Sequence, residues 1–153
     1  MNRRKLNSIA LHTMWGLIAT VVGVAVILIG DNILGVQLEI FQGMSTYSVF
    51  WILDLIVVPI IAGFIVSLIY GLGGKILAHL PAVIAKSYVY FTLTPDMIPQ
   101  GAEIIPVGFW ILICIVVVEA CAVGGLIGEI VIKRTYGRRP KHLIHKRYRQ
   151  ERT

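Results

Sequence analysis

The chain has 153 residues, 57% of them hydrophobic and 14% charged, with a formal net charge of +6 and a mean hydropathy of +0.82. Soluble domains run at about 45–50% apolar and about 25% charged, and here the apolar excess is gathered in long runs. That pattern excludes an ordinary cytosolic domain, a disordered chain and a secreted disulfide scaffold, and it predicts an all-α integral membrane protein.

Residues 1–7 carry Arg3, Arg4 and Lys5 and form a short basic N-terminus. The apolar run at about 8–30 is longer than a signal-peptide core and ends without a small-x-small cleavage site. It is therefore expected to be an uncleaved first span, although Arg3-Arg4 is a dipeptide shared with twin-arginine signals. Gly16, Gly23 and Gly30 recur every seven residues along it. A polar connection with Asp31 and Glu39 leads to the second run, about 48–72, which holds Trp51, Asp54 and Pro59. Pro59 has no N–H to offer the Leu55 carbonyl, so the helix should loosen there. Gly71-Leu72-Gly73-Gly74-Lys75 has neither the spacing nor the preceding strand of a phosphate loop, and predicts a tight cytoplasmic turn.

The segment at about 76–93 is shorter and contains His79, Pro81 and Lys86. Eighteen residues still reach about 27 Å as a helix, close to the roughly 30 Å of a hydrocarbon core. The next connection, Thr94 to Pro106, holds Asp96 and Glu103 with Pro95 and Pro99, and is expected to be irregular. The last run, about 107–132, opens on Trp110 and contains Glu119 near its middle. On it, Ala120, Gly124 and Gly128 form a small-residue strip of the kind that lets helices approach closely. Residues 133–153 hold Lys133, Arg134, Arg138, Arg139, Lys141 and four further basic residues, with too little apolar content to fold alone.

Parity follows from charge. Basic flanks are retained on the cytoplasmic side, and three spans would put the two basic ends on opposite sides. Four spans place both termini in the cytoplasm and the acidic connections outside. The expected organisation is a four-helix transmembrane domain over 8–132, in the inner or plasma membrane. An internal likeness supports it. Phe50-Trp51-Ile52-Leu53 recurs as Phe109-Trp110-Ile111-Leu112, and Ile56-Val57-Val58 recurs as Ile115-Val116-Val117. Two tandem hairpins would then be parallel repeats about an axis along the membrane normal, with Asp54 breaking the symmetry opposite Ile113.

Ionisable groups inside a membrane are costly and mark candidate sites. Lys86 and Glu119 fall at similar depth and are expected to form an intramembrane pair or a proton site, with Asp54 nearer the outer face. His12, His79 and Glu129 near the inner ends have no ligand spacing that argues for a metal. Cys114 and Cys121, about 10 Å apart on one helix, read as packing residues. No Walker A loop, dinucleotide fingerprint, zinc-protease helix or nucleophile–base set is present, so neither an enzyme nor a cofactor is expected.

Two functions remain. The first is a non-enzymatic accessory subunit that stabilises or positions other transmembrane subunits, as a hetero- or homo-oligomer. The second is a small ion- or proton-coupled transport component using Glu119, Lys86 and Asp54. The basic tail is expected to meet anionic lipid headgroups, at about 1 kcal/mol per well-placed basic residue. Nucleic-acid or ribosome contact through Tyr136, Tyr148 and the arginines is the weaker reading of it.

Overall fold

The computed structural model describes residues 3–35, 41–42, 48–94, 96, 98, 100 and 103–136. Helix α1 spans Arg3–Leu34. It thus begins inside the basic N-terminus and continues beyond Gly30, because nothing before Gly35, with its positive φ of 64°, stops it. Asp31, read from the sequence as a loop residue, lies in the last turn of α1.

The second apolar run, Val49–Tyr70, is one helical element in three parts. It comprises α2 (Val49–Ile52), a π-helical turn (Leu53–Val57) and α3 (Val58–Tyr70). Ser48 caps its start, its hydroxyl accepting from the Trp51 N–H at 3.2 Å. The π turn is the form that loosening at Pro59 takes. Pro59 cannot donate to Leu55, and Val58 instead donates to the Leu53 carbonyl five residues back.

Gly71 and Gly73 adopt φ values of 88° and 92°, a left-handed backbone that glycine enters without penalty. They reverse the chain into α4 (Gly74–Leu77) and α5 (His79–Thr92). The break between these two has a cause: Pro81 has no N–H for the Leu77 carbonyl, and the helix restarts at His79. Fourteen residues carry α5 about 21 Å. The described residues contain three stretches long and apolar enough to cross a membrane, His12–Leu34, Val49–Tyr70 and Val107–Thr135. The 76–93 segment, expected as a fourth, is not among them. The last helix, α6, spans Val107–Tyr136.

Helix directions follow from which residues meet. Gly16 lies against Tyr70, Gly23 against Val66 and Gly30 against Val58, so α1 and α3 are antiparallel. Gly16 also meets Leu77 and Gly23 meets Pro81, so α1 and α5 run the same way. Trp110 stacks with Tyr90 while Gly125 meets Lys75, so α5 and α6 are antiparallel. The result is an up-down-up-down bundle with the start of α1 and the end of α6 at one end. At the other end the two connections touch. Strand β1 (Phe41–Gln42) pairs antiparallel with β2 (Glu103–Ile104), in the register Phe41↔Ile104, a ladder the sequence did not signal.

The interior is built of small residues. Ala19, Ala62, Ala82, Ala85 and Cys121 are buried, together with Ile27, Val66 and Val117. Large apolar side chains such as Leu17, Ile33, Ile76 and Phe91 face outward. This inverted arrangement suits a lipid solvent, in which close van der Waals contact replaces the hydrophobic effect between helices. The tightest contact joins α3 to α6. A Cβ on Gly63 would collide with the Cys121 carbonyl, and one on Gly124 with the Ile60 carbonyl. Ser67 adds a buried hydrogen bond there, its hydroxyl donating to the Gly125 carbonyl at 2.7 Å.

Candidate functional site

Two groups of ionisable residues stand out, one inside the bundle and one on its surface. Inside, Lys86 on α5 meets two carboxylates. Its Nζ lies 3.2 and 3.1 Å from the two carboxylate oxygens of Asp31 on α1. It also lies 3.5 Å from Asp54 Oδ2 on the π turn. Lys86 is 3% exposed, Asp54 0% and Asp31 15%. One cation thus ties together three elements that are remote in sequence. The π turn matters to this geometry, because its wider spacing changes which residues of that helix face inward.

Such a cluster has two chemical uses. It locks helices, since a buried charge stripped of its counter-charge is strongly unfavourable. It also offers two carboxyls to one ammonium, so the proton occupancy of a carboxyl sets the net charge at that point.

Lys86 is therefore paired differently from the sequence-based expectation. Its partners are Asp31 and Asp54, and Glu119 is on the outward face of α6. The expected equal depth does not hold: with Tyr90 level with Trp110, Lys86 lies about 7.5 Å nearer that end than Glu119, and the two also point in different directions around their helices. Of the three residues expected at the site, the bundle brings Lys86 and Asp54 together and leaves Glu119 apart. Asp31 is the member that sequence reading missed. The sequence offered half of the signal, since nothing before Gly35 breaks the helix that carries Asp31; that Asp31 faces inward, four residues after buried Ile27, comes from the packing.

Glu119 makes no hydrogen bond or ion pair among the described residues. It lies about 18 Å along α6, near mid-span. It borders an open groove of about 360 Å³ between α5 and α6, lined by Val83, Ser87, Trp110, Cys114, Ile115 and Val118 among others. Tyr90 and Phe91 pack on Trp110 at the end nearer the start of α6, with ring centroids 4.7 and 6.1 Å away.

The small-residue strip is internal. Gly124 faces Ile60, and Gly128 faces Ser67 and Phe64, while Ala120 is half-buried beside them. Gly125 and Cys121, which the strip did not include, share that contact. Near the end of α6, Lys133 Nζ lies 2.8 Å from Glu129 Oε1, and Arg134 is exposed. Arg138, Arg139 and Lys141, the other expected docking residues, lie outside the described residues. His12 packs on Tyr70 with ring centroids 5.9 Å apart, and His79 Nδ1 is 3.0 Å from the Ile76 carbonyl. Among the described residues, no three His, Cys, Asp or Glu side chains converge as metal ligands.

Comparison with known proteins finds no matching family model, curated protein or solved structure.

Proposed function

We propose that the chain is a non-enzymatic accessory subunit of a larger complex in the inner or plasma membrane, binding other transmembrane subunits through the α5–α6 face. The observation that carries this reading is Glu119. An acid near mid-span is costly when it meets lipid, and such groups almost always face protein or water. Among the described residues Glu119 is exposed and pairs with no side chain, and it borders a groove open to a neighbour. In this reading α4 and α5 together make a fourth crossing, which the up-down-up-down arrangement supports. Both termini are then cytoplasmic, and the basic tail lies against anionic headgroups.

The second reading, an ion- or proton-coupled transport component, has its own support in the Asp31–Lys86–Asp54 cluster beside a π turn. Native purification of the tagged full-length chain, followed by mass spectrometry, separates the two. A stoichiometric transmembrane partner, with no ion flux from the chain alone in liposomes, is the expected result. A homomeric species that conducts ions, and loses flux on Asp54→Asn, would favour transport instead.

A further inference from the structure

The groove beside Glu119 also carries information about the partner, and the following rests on the subunit reading. We infer that its occupant is a transmembrane helix of a different protein carrying an Arg or Lys near mid-span, seated between α5 and α6 with that cation on Glu119.

Shape comes first. The groove residues on α6 are Ile111, Cys114, Ile115 and Val118, followed by Glu119. Spacings of three and four along about 12 Å form a ridge that a second helix packs against. Val83 and Ser87 of α5 make the opposite wall. Two turns of a helix fit such a trough, with its polar end at Glu119.

Charge decides among occupants. Among the described residues, the cation within the bundle is Lys86, which is 3% exposed and already bound to Asp31 and Asp54. Lys75 and Lys133 sit at the inner end, near Gly125 and Glu129 respectively. None of the described residues therefore offers Glu119 a counter-charge. Lipid headgroups stay at the interface, roughly 18 Å from it along α6. A second copy docked through the same face would oppose carboxyl to carboxyl. Ser87 would not relieve that: with Tyr90 level with Trp110, Ser87 sits about 9 Å nearer the outer end than Glu119. An Arg or Lys on a foreign helix supplies both donors and charge where Glu119 needs them.

The test uses the full-length chain with a fluorescent protein at its C-terminus, in liposomes with acceptor-labelled Leu/Ala peptides of about 20 residues. The peptides differ only at their centre, which is Arg, Leu or Glu. Energy transfer should show the Arg-centred peptide binding about tenfold more tightly than the Leu-centred one. Glu119→Gln should remove that preference. Glu119→Lys should transfer it to the Glu-centred peptide, a gain that a misfolded variant would not produce. Ile115→Trp, which fills the groove, should weaken binding of the Arg-centred peptide. Equal binding of the Arg- and Leu-centred peptides, or a preference that survives Glu119→Gln, would overturn the inference. So would Glu119-dependent energy transfer between two copies of the chain, which would make the occupant a homomeric one. A native partner held independently of Glu119 would likewise end this inference while leaving the subunit reading in place. The absence of any native partner, with ion flux by the chain alone, would instead end the subunit reading.

Discussion

Lys86 gains its importance from where its two neighbours come from. Asp31 arrives on α1, and Asp54 arrives on a π turn that Pro59 imposes. Removing the cation leaves two acids facing each other in a low-dielectric interior, whereas removing all three charges leaves a neutral contact. Lys86→Met should therefore cost about 3–5 kcal/mol, and the triple variant Lys86→Met, Asp31→Asn, Asp54→Asn should recover much of that loss. Asp31→Asn alone should cost less than Lys86→Met, because Asp31 keeps some contact with solvent at 15% exposed. Denaturant titration in detergent micelles checks the order, and a triple variant weaker than Lys86→Met would show that the charges are not acting as one unit. Glu119→Gln is the contrast: it should leave the stability of the isolated chain unchanged, since Glu119 touches no counter-charge among the described residues. The sequence made Lys86, Asp54 and Glu119 visible as costly groups. It could not say which of them meet, because hydropathy fixes depth only coarsely and azimuth not at all.

Among the helices, the glycines divide into those that permit contact and those that do not. Gly63 and Gly124 let the α3 and α6 backbones touch, while Gly108 in the first turn of α6 has nothing within 4 Å of an added Cβ. Gly124→Leu should lower stability by at least about 1–3 kcal/mol, as overpacking does in a tight interior. Gly63→Ala should act in the same direction, since backbone carbonyls cannot swing aside as side chains do. Gly108→Ala should be neutral or raise stability by about 0.5 kcal/mol through the unfolded chain's lost freedom. Thermal unfolding of the three variants in one detergent tests the division, and equal effects would refute it. Ser67→Ala should cost about 1 kcal/mol by removing the hydroxyl that donates a second, interhelical hydrogen bond to the Gly125 carbonyl. The strip Gly124–Gly128 was legible as a spacing of four, but its destination was not. The seven-residue run Gly16, Gly23, Gly30 likewise turned out to face α3, with Gly16 and Gly23 also reaching the Leu77–Pro81 region.

For the molecule as a whole, the bundle has two unlike ends. One gathers the turn at Gly71–Gly73 with the close of α6 at Lys133 and Arg134; the other joins β1 to β2. In the proposed topology, the first end lies in the cytoplasm, as the charge bias favours. In a Cys114→Ser, Cys121→Ala background, cysteines at Leu72 and Arg134 should resist an impermeant thiol reagent in intact cells and react after permeabilisation. A cysteine at Asp96 should react in both cases. Labelling of Arg134→Cys from outside would mean that α4 and α5 do not cross, and that the chain has three spans. The parallel course of α3 and α6 also bears on the internal likeness. Their contacting pairs, Ile60 with Gly124 and Gly63 with Cys121, are offset along the chain by 64 and 58 residues, which bracket the 59 separating Phe50 from Phe109. Residues matched by the repeat therefore lie at similar depth, and the symmetry fails where the π turn carries Asp54 and α6 carries Ile113.

The three helices long and apolar enough to cross a membrane and the tight turn at Gly71–Gly74 could be read along the chain. Hydropathy and glycine placement act over a few neighbouring residues, so the information is local. Even Pro59 announced a break before its shape was known. The pairing of Lys86 with Asp31, the outward turn of Glu119 and the ladder between the connections depend on helices meeting at a particular register. That register comes from steric exclusion between residues such as Gly63 and Cys121 or Gly30 and Val58, far apart in sequence. A side chain's direction around its helix has no one-dimensional signature until its neighbours are in place, and it was the packed bundle that sent Asp31 inward and Glu119 to the surface.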